Sequence, residues 1–143
     1  MKFEIIVGSV LGASEYVAEA VEEKLKAKNY EAIVHFQPEL TNINFENIII
    51  IVTSTHGAGD LPDNIQTFQQ ELSKQILPHT KFMVIGLGDS SYDTFCQGAI
   101  TMEETFTQVG ANLIHPPIHI DVLHHPVPED EALVYLDKVL TVL

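Results

Sequence analysis

The residues from Gly86 to Cys96 combine glycines with polar and aromatic side chains in a pattern suited to holding a flat organic ring. They follow the apolar run Phe82 to Ile85, which is too short for a helix and predicts a buried strand that ends in this loop. Glycines let the backbone approach a ligand closely, while Tyr92 and Phe95 offer flat apolar area beside polar groups. A dinucleotide fingerprint would need a third glycine where Ser91 stands. The loop therefore predicts a site for a flat ring with polar edges rather than for a phosphate.

A second loop, Gly8 to Glu15, runs from a predicted strand directly into a predicted helix. The first turn of a helix has free N–H groups and the positive end of the helix dipole, and both attract a phosphate. A loop that holds a nucleoside triphosphate carries a lysine after its last glycine, but Ala13 follows Gly12 here. The loop therefore predicts a phosphomonoester held by neutral donors.

A third loop, Thr53 to Asn64, contains Gly57 and Gly59 on either side of one alanine. Glycines let a backbone carbonyl approach a ligand or rotate at little steric cost. His56 precedes the first of these glycines, and its ring can lie flat on a ligand or carry a charge below about pH 6.5. The loop therefore predicts a backbone able to rotate beside a ligand, with His56 either stacked or in solvent.

The elements that carry these loops alternate between short apolar strands and amphipathic helices. Strands are predicted at residues 2–8, 31–36, 48–52, 81–86 and 112–122, the last broken by Pro116 and Pro117. Helices are predicted at residues 14–29, 61–74, 100–109 and 129–143. The apolar spacing points inward from three of them, at Val17, Val21 and Leu25, at Ile65, Phe68 and Leu72, and at Leu133, Leu136 and Leu140. The alternation predicts an α/β fold with a five-stranded parallel sheet and helices on both faces.

The three loops have equivalent positions in this fold, because each directly follows a strand, after Gly8, Val52 and Gly86. If the first, third and fourth strands are parallel neighbours, their loops emerge at the same edge of the sheet. Ligands of open parallel sheets bind at that edge. The loops are therefore expected to share one ligand.

Two other groups of residues could do chemistry but have unsuitable spacing. Gly88 to Ser90 resembles the nucleophile block of GDSL esterases, and Asp121 to His124 has their Asp-x-x-His spacing, but the serine follows the fourth predicted strand instead of the first. His115 and His119 are separated by prolines and, on a strand, would lie roughly 13 Å apart, too far to bind one metal ion. No esterase or metal site is predicted.

The sequence motifs of the loops resemble those of the flavodoxin family. Gly88-Asp89-Ser90-Ser91-Tyr92, two residues, and then Phe95-Cys96 is similar to the second flavin-binding loop of flavodoxins. Ser9, Gly12 and Ser14 match the phosphate loop, whereas Leu11 stands where most of the family has a hydroxyl. Leu11-Gly12 followed by Glu15 to Glu19 is similar to the MioC subgroup of small flavodoxins, and Gly57 to Asn64 also resembles the FMN domains of diflavin reductases.

This resemblance implies a flavodoxin-like doubly wound sheet in the order 2-1-3-4-5 and noncovalently bound FMN. Tyr92 would stack on the flavin, and the peptide between Gly57 and Ala58 would turn when the flavin is reduced. The resemblance assigns cofactor binding to Ser9, Val10, Leu11, Gly12, Ala13, Ser14, Thr53, Ser54, Thr55, His56, Gly57, Ala58, Gly59, Leu87, Gly88, Asp89, Tyr92, Phe95 and Cys96.

The composition narrows the partners and the compartment. Seven basic and 20 acidic side chains give a formal net charge of -13, which repels nucleic acid and anionic membranes and attracts a basic protein surface. The apolar run Ile48 to Val52 is far shorter than the about 20 residues of a membrane span. Cys96 is the only cysteine, and Glu4 stands where a signal peptide would be apolar, so a cytoplasmic protein is expected.

Residues 1–143 are expected to form one domain that acts as a monomeric electron carrier rather than as an enzyme. The resemblance implies that it shuttles single electrons from a separate donor of the flavodoxin reductase type to an acceptor protein with a basic surface. One alternative remains open at this point, which is an FMN-dependent quinone reductase acting directly on small molecules.

Overall fold

The computed structural model describes all 143 residues, which alternate between strands and helices as the sequence predicts. The strands are β1 Lys2–Gly8, β2 Glu31–His35, β3 Ile48–Thr53, β4 Lys81–Gly88, β5 Asn112–Leu113 and β6 Ile118–Asp121. The helices are α1 Ala13–Ala27, α2 Asp63–Leu72, α3 Gln97–Gln108 and α4 Pro128–Leu140, with a short 3-10 helix at Leu40–Asn42. None of the helices is both long and apolar enough to span a lipid bilayer.

The sheet is parallel throughout and has the order β2-β1-β3-β4-β5, with β6 also paired to β4. β5 pairs with the first residues of β4 and β6 with its last residues, so these two short strands together occupy the fifth position. The interruption between them contains Pro116 and Pro117, as predicted. Proline has no N–H to donate to a neighbouring strand, and two in succession end the regular ladder.

Helices cover both faces of the sheet. α1 and α4 share one apolar cluster with β1 and β3, and α2 and α3 share a second cluster with the opposite face of the same strands. Ile48–Thr53 is buried along its whole length, which explains why β3 carries no alternation of polar and apolar residues. Because β1, β3 and β4 are parallel neighbours, they end at the same edge of the sheet, and the loops that follow them begin there.

The predicted inward residues are confirmed in α1 and α2 and need correction in α4. Leu136 is buried as predicted, but Leu133 and Leu140 are only partly buried, whereas Tyr135 and Val139 are buried. The hydroxyl of Tyr135 donates a hydrogen bond to the carbonyl of Pro116 at 3.0 Å, so this ring packs onto the connection between β5 and β6. Burial raises the pKa of Tyr135 to about 12. The leucine spacing alone did not indicate this because α4 has apolar residues around much of its circumference.

Helix bounds differ from the predicted ones by a few residues. α2 occupies Asp63–Leu72 instead of residues 61–74, and α3 begins at Gln97 instead of Ile100. The start of α3 follows Cys96, whose φ of 54° lies in the left-handed region. The first turn of α3 contains Gln97 and Gly98, so the apolar periodicity that marks a helix in a sequence begins only afterwards.

Candidate functional site

The loops that follow β1, β3 and β4 meet around one cavity of about 410 Å³, a size within the range of small-molecule sites. Its lining comes from the three loops and from the residue after β6. The residues that line it are Val10, Leu11, Ala13, Ser54, Thr55, Gly57, Leu87, Gly88, Asp89, Tyr92, Thr94, Phe95, Cys96 and Val122. The arrangement confirms that the three loops share one edge of the sheet.

The loop after β1 ends in a helix whose N-terminus is available to a ligand. Gly12 has a φ of 92°, which favours glycine, and no side chain caps α1. The Gly12 N–H donates to the Ser9 Oγ at 3.0 Å, which closes the turn. The first amides of α1 have no partner earlier in the helix, so together with the helix dipole they provide donors for an anion.

Ser14, in the first turn of α1, carries a buried hydroxyl that has no hydrogen-bond partner. Buried polar side chains are nearly always paired, so an unpaired one calls for an explanation from function. The hydroxyl can donate one hydrogen bond and accept others. A ligand with acceptor oxygens at the N-terminus of α1 would supply the missing partner.

The loop after β3 is closed by hydrogen bonds between His56 and Asp60. The His56 N–H donates to the Asp60 carbonyl at 2.7 Å, and the Asp60 N–H donates to the His56 carbonyl at 2.8 Å. Between them, Gly57 and Gly59 have φ values of 53° and 104°, conformations that cost a residue with a Cβ atom free energy. Thr55 fixes the loop to α3, because its Oγ1 accepts a hydrogen bond from the Gly98 N–H at 2.9 Å.

The loop after β4 is packed closely against the start of α3. A Cβ atom on Gly88 would lie 2.9 Å from the backbone nitrogen of Cys96, so only glycine fits there. Asp89 accepts hydrogen bonds from the N–H and the hydroxyl of Ser91 at 2.8 and 2.6 Å. Tyr92 lies at the rim of the cavity with 64% of its surface exposed. A rigid turn therefore presents an exposed aromatic ring at the cavity mouth.

Asp121, at the end of β6, holds the same loop from the other side. Its Oδ1 accepts hydrogen bonds from the N–H groups of Ser90 and Leu123 at 3.2 and 3.1 Å. Hydrogen bonds from Ser90, above all from its side chain, hold the pKa of Asp121 below its ordinary value of 3.8. Burial, with a smaller contribution from Asp121, raises the pKa of the Cys96 thiol to about 12, so Cys96 is a packing residue without thiolate reactivity at neutral pH.

Most of the residues predicted from the sequence line the cavity, and the others lie beside it in the same loops. Those outside the lining are Ser9, Gly12, Ser14, Thr53, His56, Ala58 and Gly59. Of these, Ser14 and Thr53 are buried, whereas His56 and Ala58 are exposed. His56 thus contributes its backbone to the closed turn, while Thr55 and Gly57 on either side of it line the cavity.

Two lining residues were not predicted, Thr94 and Val122. Thr94 lies inside the predicted loop, between Tyr92 and Phe95, and a threonine alone does not indicate a binding site. Val122 follows β6, which ends at the same edge as β4. Treating residues 118–121 as a separate parallel strand after the two prolines would have indicated that the next residue faces the site.

The late histidines do not form a metal site. No group of three or more His, Cys, Asp or Glu side chains lies close enough together to hold an ion. His119 lies on β6 and is partly buried, with its ring edge-on to Phe95 at a centroid distance of 6.3 Å. It is therefore an edge-strand residue whose ring packs against Phe95 in the loop after β4.

Comparisons with known proteins agree with this geometry. A family model described as Flavodoxin matches residues 5–134. The chain belongs to the flavodoxin family. It is 42% identical over 122 residues to the Protein MioC homolog of Haemophilus influenzae, which covers 84% of this chain and 84% of that relative. It is 36% identical over 141 residues to Protein MioC of Escherichia coli K12, which covers 97% of this chain and 96% of that relative.

Solved structures give the same result. A cysteine-to-serine mutant of a flavodoxin from Pseudomonas aeruginosa is 34% identical, with a TM-score of 0.92 and coverage of 100% of this chain and 99% of that chain. The oxidised Flavodoxin 1 of Bacillus cereus is 20% identical with a TM-score of 0.82, which shows the shared fold. The chain is thus a MioC-like short-chain flavodoxin, and FMN, the cofactor of that family, is its cofactor.

The flavodoxin cavity suits FMN chemically. Its lining is mostly apolar, as a flavin ring requires, and the exposed phenol ring of Tyr92 stands at its rim. The uncapped N-terminus of α1 and the unpaired hydroxyl of Ser14 provide donors without a formal positive charge. The donors at α1 and Ser14 suit the phosphate at one end of FMN. The apolar lining and the Tyr92 ring suit the flavin ring at the other end.

Proposed function

We propose that the chain is a one-electron carrier that receives electrons from a separate reductase and passes them to an acceptor protein with a basic surface. The observation that carries this proposal is the cavity at the shared edge of β1, β3 and β4, whose rim is exposed to solvent at Leu11 and Tyr92. FMN, when bound there, supplies the one-electron chemistry. The protein's part is to bind and orient it while leaving an edge accessible to another protein.

The loop from Ser9 to Ser14 is proposed to hold the phosphate. Its donors are the hydroxyl of Ser14 and the N–H groups at the start of α1. Leu11 is 93% exposed, so it adds an apolar side chain to the outer surface instead of a hydroxyl bond to the phosphate. Phosphate binding in this chain therefore depends on backbone donors and on Ser14.

The loops after β3 and β4 are proposed to hold the ring. Tyr92 would supply an aromatic surface for stacking, and backbone groups of residues 87–89 and 96, which line the cavity, would bind the polar edge of the flavin ring. The peptide after Gly57 is the one that can turn beside the ring, because a φ of 53° is tolerated by glycine and the space around its Cα is open. Thr53 and Gly59 shape this loop, and Phe95 and Cys96 close the inner end of the cavity.

The surface charge supports transfer to another protein. A formal net charge of -13 favours association with basic partners and keeps the acidic chains apart, which is consistent with a monomer made of one domain. The apolar side chains of Val10 and Leu11 at the rim add a contact area for such a partner. We propose a cytoplasmic location, since the fold uses no disulfide that an oxidising compartment would have to form.

The proposal is tested by combining three components in one assay: the FMN-loaded chain, a flavodoxin reductase with NADPH, and a basic one-electron acceptor such as cytochrome c. We expect acceptor reduction to depend on both the reductase and the chain and to fall as ionic strength rises. A second assay mixes the chain with NADPH and a quinone alone. Steady oxidation of NADPH in that second assay would contradict the carrier role and show that the chain is a quinone reductase.

A further inference from the structure

The side-chain amide of Asn64 joins three separate parts of the chain. Its Nδ2 donates hydrogen bonds to the carbonyls of Val7 at 2.7 Å and Phe36 at 2.9 Å, and its Oδ1 accepts one from the Ser9 N–H at 3.1 Å. Two carbonyls face one end of the amide and a backbone N–H faces the other, so only this orientation satisfies all three. Asn64 lies in the first turn of α2. Its partners are Val7 near the end of β1, Phe36 directly after β2, and Ser9 at the start of the loop after β1.

Ser9 connects this amide to the N-terminus of α1. The Ser9 N–H is held by Asn64, while the Ser9 Oγ accepts a hydrogen bond from the Gly12 N–H at 3.0 Å. On the other side of β1, the Gly8 carbonyl accepts a hydrogen bond from the Ser54 N–H at 3.0 Å. The start of the short loop, at Gly8 and Ser9, is therefore fixed by Ser54 and Asn64 from distant parts of the chain, and its end at Gly12 is fixed through Ser9.

We propose that Asn64 is a positioning residue for the phosphate end of the cofactor site. It does not line the cavity and so acts only through Ser9 and Gly12, which set where the first amides of α1 and the hydroxyl of Ser14 point. This inference rests on the proposed assignment of the loop from Ser9 to Ser14 to the phosphate. It predicts that Asn64 affects recognition of FMN but not of riboflavin, which lacks the phosphate.

Asn64→Leu tests the inference because leucine has nearly the same size and makes none of the three hydrogen bonds. Asn64→Ala is the second variant, since it leaves room for water and strains the fold least. The matched control is Asn112→Leu. Asn112 also donates from its Nδ2 to two backbone carbonyls, those of Pro78 and Thr80, at 3.0 and 3.3 Å, but it lies at the opposite edge of the sheet.

The measurement is the Kd of each apoprotein for FMN and for riboflavin, from quenching of flavin fluorescence. Loss of a positioned hydrogen-bond network is expected to weaken FMN binding by about tenfold in both Asn64 variants. Riboflavin binding should stay within about twofold, because the loops after β3 and β4 keep their own contacts. The ratio of the two Kd values should be unchanged in Asn112→Leu, and circular dichroism melting verifies that each apoprotein is folded.

If Asn64 had only a structural role, its substitution would weaken the binding of FMN and of riboflavin by the same factor, and that result would overturn the inference. Unchanged binding of both flavins would overturn it as well. Failure of the proposed assignment of the loop from Ser9 to Ser14 to the phosphate looks different, because the unmodified chain would then bind FMN no better than riboflavin. The two failures are therefore distinguished within one set of titrations.

Discussion

Replacement of Ser14 by alanine should stabilise the apoprotein and weaken FMN binding at the same time. The Ser14 hydroxyl is fully buried and has no partner in the protein, so the folded apoprotein carries its desolvation cost. Removing an unpaired buried hydroxyl should raise the free energy of unfolding by about 1 kcal/mol. For a chain of this size that corresponds to an increase in Tm of about 3 °C.

The effect on the holoprotein has the opposite sign. A hydrogen bond from a hydroxyl to a charged phosphate contributes about 1.5 to 3 kcal/mol. Its loss should therefore raise the Kd for FMN by roughly 10- to 150-fold. Riboflavin has no phosphate, so its Kd should not change. Ser14→Ala thus distinguishes binding of the phosphate from binding of the flavin ring.

The assay combines circular dichroism melting of the apoprotein with fluorescence titrations of FMN and riboflavin. Thr105→Val is the matched control, because Thr105 is also buried but its hydroxyl donates to the Thr101 carbonyl at 2.8 Å and accepts from Gln69 at 2.9 Å. That variant should lower the Tm and leave both Kd values unchanged. A Ser14→Ala apoprotein that melts earlier and binds FMN normally would refute the reasoning.

Three further predictions concern the loop after β4 and Asp121, which holds it. Tyr92→Ala should weaken FMN binding by roughly fivefold or shift its one-electron potentials, because the stacking surface is lost, and equal titrations for Tyr92→Ala and His119→Ala would remove the assigned role of Tyr92. Gly88→Ala should lower the free energy of unfolding by about 2 kcal/mol in urea titrations and weaken flavin binding, because the backbone nitrogen of Cys96 would lie 2.9 Å from the new Cβ. The Cβ of Gly57→Ala would meet no atom closer than 3.8 Å, so that variant should lose less stability. A greater loss in Gly57→Ala than in Gly88→Ala would contradict the packing argument. The lowered pKa of Asp121 means that its carboxylate stabilises the fold above the unfolded pKa of about 3.8 and that this contribution is lost as the pH falls through the lower folded value. The Tm difference between the unmodified apoprotein and Asp121→Asn should therefore be largest above pH 5 and close at lower pH, and a difference that grows on acidification would show that the sign is wrong.

Much of the fold could be predicted because it depends on local patterns. Ile48–Thr53 is apolar along its whole length, which indicates a strand covered on both faces, and the structure has β3 there. The spacing of Val17, Val21 and Leu25 correctly indicated the buried side of α1. α4 was harder, because Tyr135 is buried in the apolar cluster under the sheet and its hydroxyl bonds to Pro116, in the connection between β5 and β6.

The candidate site could be predicted to the level of its loops but not of its hydrogen bonds. Gly88, Tyr92 and Phe95 of the loop after β4 are close in the sequence, and they line one cavity in the structure. Val122 also lines that cavity but was missed, because it reaches the site only through the pairing of β6 with β4. The dependence of the loop after β4 on Asp121 was missed for the same reason, since the Ser90 N–H and its acceptor are 31 residues apart.

The sequence by itself determined the order of strands and helices, the three loops that meet at the cavity and the resemblance to flavodoxins, because periodicity and the residue patterns of loops are properties of neighbouring residues. Only the tertiary structure decided that the Ser14 hydroxyl stays unpaired and that the Asn64 side chain joins β1 and β2 to the loop after β1. The partners of Asn64 lie 28 to 57 residues away along the chain. They become neighbours only when the sheet places β1 between β2 and β3, and a hydrogen bond forms only between groups that the whole fold brings within about 3 Å.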